Sequence, residues 1–90
     1  MEDAELRVLQ WLADHERERP GKPVKDTDLV ESLGLDYGRA HSTISGLRAI
    51  GLVEARDFHT SGLGYYMFAI KLTFDGWRKL DEDQGTPSRK

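Results

Sequence analysis

At Gly51 the spacing of apolar residues changes from helical to alternating, and this limits what a chain of 90 residues can fold into. Before Gly51, apolar side chains recur three and four positions apart, the period of a helix with one buried face. After it, LVEARDFH and YYMFAIKL read as two strands, joined by Thr60-Ser61-Gly62-Leu63-Gly64, whose glycines suit a hairpin. A helical first half followed by a hairpin predicts an α+β fold. Ninety residues make one domain that hides roughly 60–65% of its unfolded surface, so the core is modest.

The helical half divides at its breakers. Residues 3–18 form the first predicted helix, with Leu6, Val8, Leu9, Trp11 and Leu12 as its apolar stripe and Asp3 as its N-cap. Arg19-Pro20-Gly21-Lys22-Pro23 ends it, and Val24 is placed in a very short strand. Residues 26–33 form a second, short helix: Asp26, Thr27 and Asp28 suit the positive end of its dipole, and Gly34 stops it. Asp36 then caps a third helix running to Ile50, with Ala40, Ile44, Leu47 and Ile50 as the expected buried face. Leu52, just past Gly51, is expected to fold back onto Leu47.

In the second strand, alternation puts Tyr66, Phe68, Ile70 and Leu72 on the core face and Tyr65, Met67, Ala69 and Lys71 on the other. Tyr65 and Met67 are thus expected as an exposed apolar patch. Thr73 caps a last helix in which Phe74, Trp77 and Leu80 recur three apart. Trp11, Phe68, Phe74 and Trp77 are expected in the core. The domain spans 1–83, and the Gly/Pro/Ser-containing tail 84–90, without an apolar residue, is expected to be disordered.

Charge is distributed unevenly around a net −3 and a pI near 5.5. Residues 1–35 carry −4, residues 36–59 are neutral, and residues 60–90 carry +1. No cysteine is present, which excludes disulfides and thiolate metal ligands and fits a cytoplasmic location. The opening residues MEDAELRV lack the basic and apolar regions of a secretory leader, and no apolar run reaches the roughly 18 residues that cross a bilayer. His15, His41 and His59 are far apart and have no carboxylate at metal-ligand spacing, so neither metal nor cofactor is expected. The serines lack a neighbouring base and orienting group, and Gly62-Leu63-Gly64 is a turn rather than a phosphate loop, so no enzyme is expected. The HERER run of the first helix reads as a solvated charged face.

The stretch LGLDYGRAHSTISGLRAIGLVEA, residues 33–55, resembles the reading half of a winged helix-turn-helix. In small prokaryotic transcriptional regulators, the multiple-antibiotic-resistance and phenolic-acid regulator families among them, LA..LGLS...VS..L..LE..GLVE runs through a short helix, a glycine turn, a recognition helix and the first wing strand. The matching positions are Leu29, Val30, Leu33, Gly34, Leu35, Asp36, Ala40, Ile44, Leu47, Gly51, Leu52, Val53 and Glu54, with fifteen residues between Leu35 and Gly51. Leu72-Thr73, Gly76 and Leu80 are similar to the LT..G...L that closes the wing. The resemblance covers about residues 4–81 and implies a three-helix core, a two-stranded wing and a short C-terminal helix.

It also implies double-stranded DNA as the partner, with helix 36–50 in the major groove and wing 52–73 at the backbone. The residues this places at DNA are Tyr37, Gly38, Arg39, His41, Ser42, Thr43, Ser45 and Arg48 on the helix, and Arg56, His59 and Lys71 on the wing strands. Arg39 has the fork that matches guanine O6 and N7, and the serines and threonine suit base edges or phosphates. The helix has only Arg39 and Arg48 as permanent cations, and the hairpin tip has none, so useful affinity implies a homodimer on two half-sites. The alternative is a winged-helix protein–protein module that never touches DNA, binding a protein partner through Tyr65 and Met67 or through the acidic first helix.

Overall fold

The computed structural model describes residues 3–60 and 64–83. The order is α1 (Asp3–Glu18), α2 (Asp26–Leu33), α3 (Tyr37–Ala49), β1 (Val53–Thr60), β2 (Gly64–Leu72) and α4 (Phe74–Asp83). The turn residues Ser61, Gly62 and Leu63, and the tail 84–90 expected to be disordered, lie outside the described residues.

Each helix starts and stops on local chemistry. α1 buries Ala4, Val8, Leu9, Leu12 and Ala13, and its exposed Arg7 donates to the Leu33 carbonyl (2.8 Å), covering a carbonyl at the end of α2. At the start of α2 the Asp28 carboxylate accepts from the Lys25 N–H (3.0 Å). At the start of α3 the Asp36 carboxylate accepts from the Arg39 N–H (2.7 Å), as an N-cap does. α3 ends with Gly51 at φ 81°. The Leu52 N–H bonds the Leu47 carbonyl and the Gly51 N–H bonds the Arg48 carbonyl, the paired closure of a Schellman cap. Leu47 and Leu52 are both buried, as the spacing predicts, but Ile50, expected on the same face, is the C-cap residue beyond the last helical turn and is exposed.

β1 and β2 pair antiparallel, from Val53 opposite Leu72 to Thr60 opposite Gly64. Val24 and Lys25 add a short extended piece to β2: Lys25 bridges Phe68, and the Ile70 N–H bonds the Val24 carbonyl at 3.1 Å. Strict alternation along β2 fails at one place. Glu54 pairs with Lys71 but Arg56 pairs with Phe68, so Ala55 faces both Ala69 and Ile70 across a bulge, with Ala69 at φ 57°. The extra residue reverses the facing of everything before it. Met67 therefore turns into the core beside Ile70 and Leu72, while Tyr66 is exposed and Phe68 half-buried. The expected exposed patch of Tyr65 and Met67 is corrected accordingly: Met67 is core, and the Tyr65 side chain lies outside the described part of the structure.

The core is aliphatic, built from Leu9, Leu29, Ile44, Leu47, Met67, Ile70 and Leu80 with their neighbours. The expected aromatic core is a second correction. Trp11 and Trp77 are half-buried at its edge, Trp11 stacked on His15 and Trp77 under the Arg17 guanidinium, and Phe74 is 79% exposed. Helical spacing of three drifts around the axis, so Leu80 can reach the core while Phe74, six positions earlier, points away.

The end of the wing is tied back to the end of α3. The Thr73 hydroxyl donates to the Gly51 carbonyl (2.7 Å) and accepts from the Gly76 N–H (3.0 Å). Gly76 is buried against Leu52, just before β1, where a Cβ would stand 2.1 Å from the Leu52 carbonyl oxygen, so only glycine fits.

Candidate nucleic-acid interface

The buried residues of α3, Ala40, Thr43, Ile44 and Leu47, fix which side faces solvent. Opposite them lies a stripe of Gly38, Ser42, Ser45 and Ala49, all exposed and none larger than serine. Exposed Arg39 borders it on one side. Tyr37, His41 and Arg48 border it on the other, by helical spacing. Half-buried Gly46 lies toward α1, where a Cβ would stand 3.7 Å from a Glu5 carboxylate oxygen.

Thr43 does not belong to this surface. It is 8% exposed, three positions from Ala40 and next to Ile44, inside the arc that packs on the core. Its hydroxyl cannot reach a base, and the helical wheel alone carries that information.

Tyr37 and His41 lie at the edge of the exposed face but are tied to a residue whose place in the sequence suggests only a helix-dipole role. Asp26, the first residue of α2, is 1% exposed. One of its oxygens, Oδ2, accepts from the Tyr37 hydroxyl (3.1 Å) and the Met67 N–H (2.9 Å) and meets His41 Nε2 at 2.5 Å. The Tyr37 and His41 rings lie against each other, centroids 4.2 Å apart. Burial pushes the Asp26 carboxyl upward, but the Met67 N–H, the His41 ring and the Tyr37 hydroxyl outweigh it and hold it below its ordinary value. The other oxygen, Oδ1, is buried with no hydrogen-bond partner among the described residues. One carboxylate thus fixes the start of α3 against α2 and β2. In sequence, Asp26 looks like its neighbours Thr27 and Asp28, and nothing local distinguishes it.

Arg48 is engaged as well. Its guanidinium forms a two-pronged pair with the Asp57 carboxylate of β1, at 2.7 and 3.1 Å, with both side chains 36% exposed. The predicted wing cations are arranged differently. Arg56 and Lys71 are exposed, and both line a groove of about 560 Å³ with His15 and Glu16 of α1 and Trp77 of α4. No residue of α3 lines that groove, so the structure does not join them to the α3 stripe. The His59 side chain lies outside the described part. Among the described residues no three His, Asp or Glu side chains are grouped to hold a metal ion, and no helix is long and apolar enough to cross a membrane.

Three helices, a glycine-capped third helix and an antiparallel hairpin folded back beside it constitute a winged helix-turn-helix fold. Solved structures with the same arrangement include a transcriptional regulator homologue from Pyrococcus horikoshii OT3, at 17% identity and TM-score 0.65, covering 90% of this chain and 72% of that one. A possible transcriptional regulator from Methanosarcina mazei Go1 aligns at 18% identity and TM-score 0.64, covering 92% of this chain and 66% of that one. No protein-family model and no curated protein sequence matches the chain.

Proposed function

We propose that this chain binds double-stranded DNA as a small cytoplasmic transcriptional regulator, with α3 in the major groove. The observation that carries the reading is the α3 stripe of Gly38, Ser42, Ser45 and Ala49 with Arg39 at its edge. Small side chains let the helix backbone approach base edges closely, and the serine hydroxyls serve base edges or phosphates. Arg39 supplies the bidentate fork for guanine. The helix contains two arginines and no acidic residue; with Arg48 paired to Asp57, Arg39 carries the positive charge at the stripe although the whole chain is at −3. The two neighbouring folds, described as a transcriptional regulator homologue and a possible transcriptional regulator, support the same reading.

The cations are few. Each neutralised phosphate adds about 0.9 to the salt slope of binding, and one domain of this charge makes only a handful of such contacts. The reading therefore includes a homodimer on two half-sites about one helical turn apart. Selection from a randomised duplex pool, at low and moderate salt, should enrich one palindromic motif. Arg39→Ala should weaken binding to it by roughly 5- to 150-fold, the equivalent of about 1–3 kcal/mol for a bidentate base contact. If nothing is enriched, or if Arg39→Ala binds the enriched motif as the wild type does, the reading fails.

A second reading, a winged-helix module that binds protein, is favoured by a different observation. Ile50 is 63% exposed and Phe74 79% exposed, and these are the sequence neighbours of the hydrogen-bonded Gly51 and Thr73. Large apolar side chains held open there suit a protein contact better than a phosphate backbone.

A further inference from the structure

The Arg48–Asp57 pair lies at the flank of the α3 stripe. Ser45 and Ala49, two of the four stripe residues, line one shallow concavity of about 320 Å³ with both members of the pair. The guanidinium is bound as a DNA phosphate would bind it, by two oxygens at 2.7 and 3.1 Å. Both side chains are open to water, so exchanging one oxyanion for another leaves no charge stranded in the interior. Asp26 is different: its oxygens are sealed inside and exchange with nothing.

We propose that Asp57 is a specificity-determining residue that occupies Arg48 in place of a DNA phosphate. This inference rests on the duplex-binding reading above. In the free protein and on random DNA the carboxylate holds the guanidinium, and α3 presents one cation fewer to the backbone. On the specific duplex, base contacts from Arg39 and the serines seat α3 deeply enough for a phosphate to reach the concavity and take Arg48 from Asp57. The fourth-turn arginine then adds a backbone contact only where the sequence is correct. Asp57 thus lowers non-specific binding more than specific binding.

The test compares wild type, Asp57→Asn, Arg48→Ala and the double variant on the enriched duplex and on a scrambled duplex of equal length, across a salt series. Asparagine keeps the shape and one acceptor oxygen for Arg48, so the fold is retained. Asp57→Asn should tighten binding to the scrambled duplex several-fold at low salt and steepen its salt slope by about 0.9, the value of one added phosphate contact. On the enriched duplex the slope should stay as in wild type. In the Arg48→Ala background the gain should vanish. The inference is overturned if the gain persists without Arg48, which would be a general charge effect. It is equally overturned if Asp57→Asn leaves scrambled-duplex binding unchanged or weaker, which would make the pair purely an anchor. Failure of the underlying reading is distinct: wild type would then show no preference for any duplex at any salt.

Discussion

The two ends of α3 are each tied to the rest of the fold by a carboxylate, and the two ties are physically opposite. At the N-terminal end, Asp26 is sealed in the interior and gathers Tyr37, His41 and the Met67 N–H onto a single oxygen. At the C-terminal end, Asp57 meets Arg48 in the open, with 36% of each side chain exposed. A buried carboxylate is expensive to desolvate and therefore tolerates only one arrangement of its donors. An exposed pair is screened and of small net value, so it holds its partners loosely and can trade one of them. On the helix proposed to read DNA, the buried tie near the start is thus fixed, whereas the Arg48 side chain near the end can exchange its partner.

Removing each tie should separate the two. Asp26→Ala leaves the Met67 N–H and two side-chain donors without their acceptor, and should lower unfolding stability by about 3 kcal/mol in urea titration. A loss no larger than that of an exposed pair would break the contrast. The next effect is smaller and depends on pH. Because the Asp26 carboxyl is held below its ordinary value in the folded protein, its charge stabilises the fold above the unfolded value and ceases to do so as pH falls through the folded one. The difference between wild type and Asp26→Asn should therefore be about 2 kcal/mol near neutral pH and should shrink below about pH 4. A difference that stays constant down to pH 2 would mean that hydrogen-bond geometry alone, without the charge, does the work. The smallest effect belongs to the exposed end: Asp57→Ala should cost under about 1 kcal/mol, and less still at high salt. A loss comparable to that of Asp26→Ala would show the C-terminal tie to be a rigid anchor and would count against its exchange with phosphate.

What was legible in the sequence follows from how far apart the interacting groups lie. Helix bounds 3–18 and 26–33, the Asp36 cap, the Gly51–Leu52 closure and the Thr73 start of α4 all rest on groups within six residues of one another, and each appears as expected. Three of the four stripe residues of α3, Gly38, Ser42 and Ser45, were also legible, because helical spacing and the buried Ala40, Ile44 and Leu47 leave them outward, and Ala49 joins them in the structure. The exceptions have long-range causes. The facing of β2 depends on a bulge opposite Ala55, which is set by pairing between strands and the Val24–Lys25 segment. Alternation alone therefore puts Met67 on the wrong face.

The sequence by itself determined where the helices and strands fall, the aliphatic stripes that build the core, and a face of small residues on the third helix with two arginines. These are consequences of period, capping and turn chemistry, which act over a few residues. Only the tertiary structure decided which side chains of that helix are engaged and how. Asp26 meets the Met67 N–H across 41 residues, Tyr37 and His41 across 11 and 15, and Asp57 meets Arg48 across 9. Such pairings depend on how whole elements pack, and one aspartate is indistinguishable from another until the packing surrounds it with donors or leaves it in water.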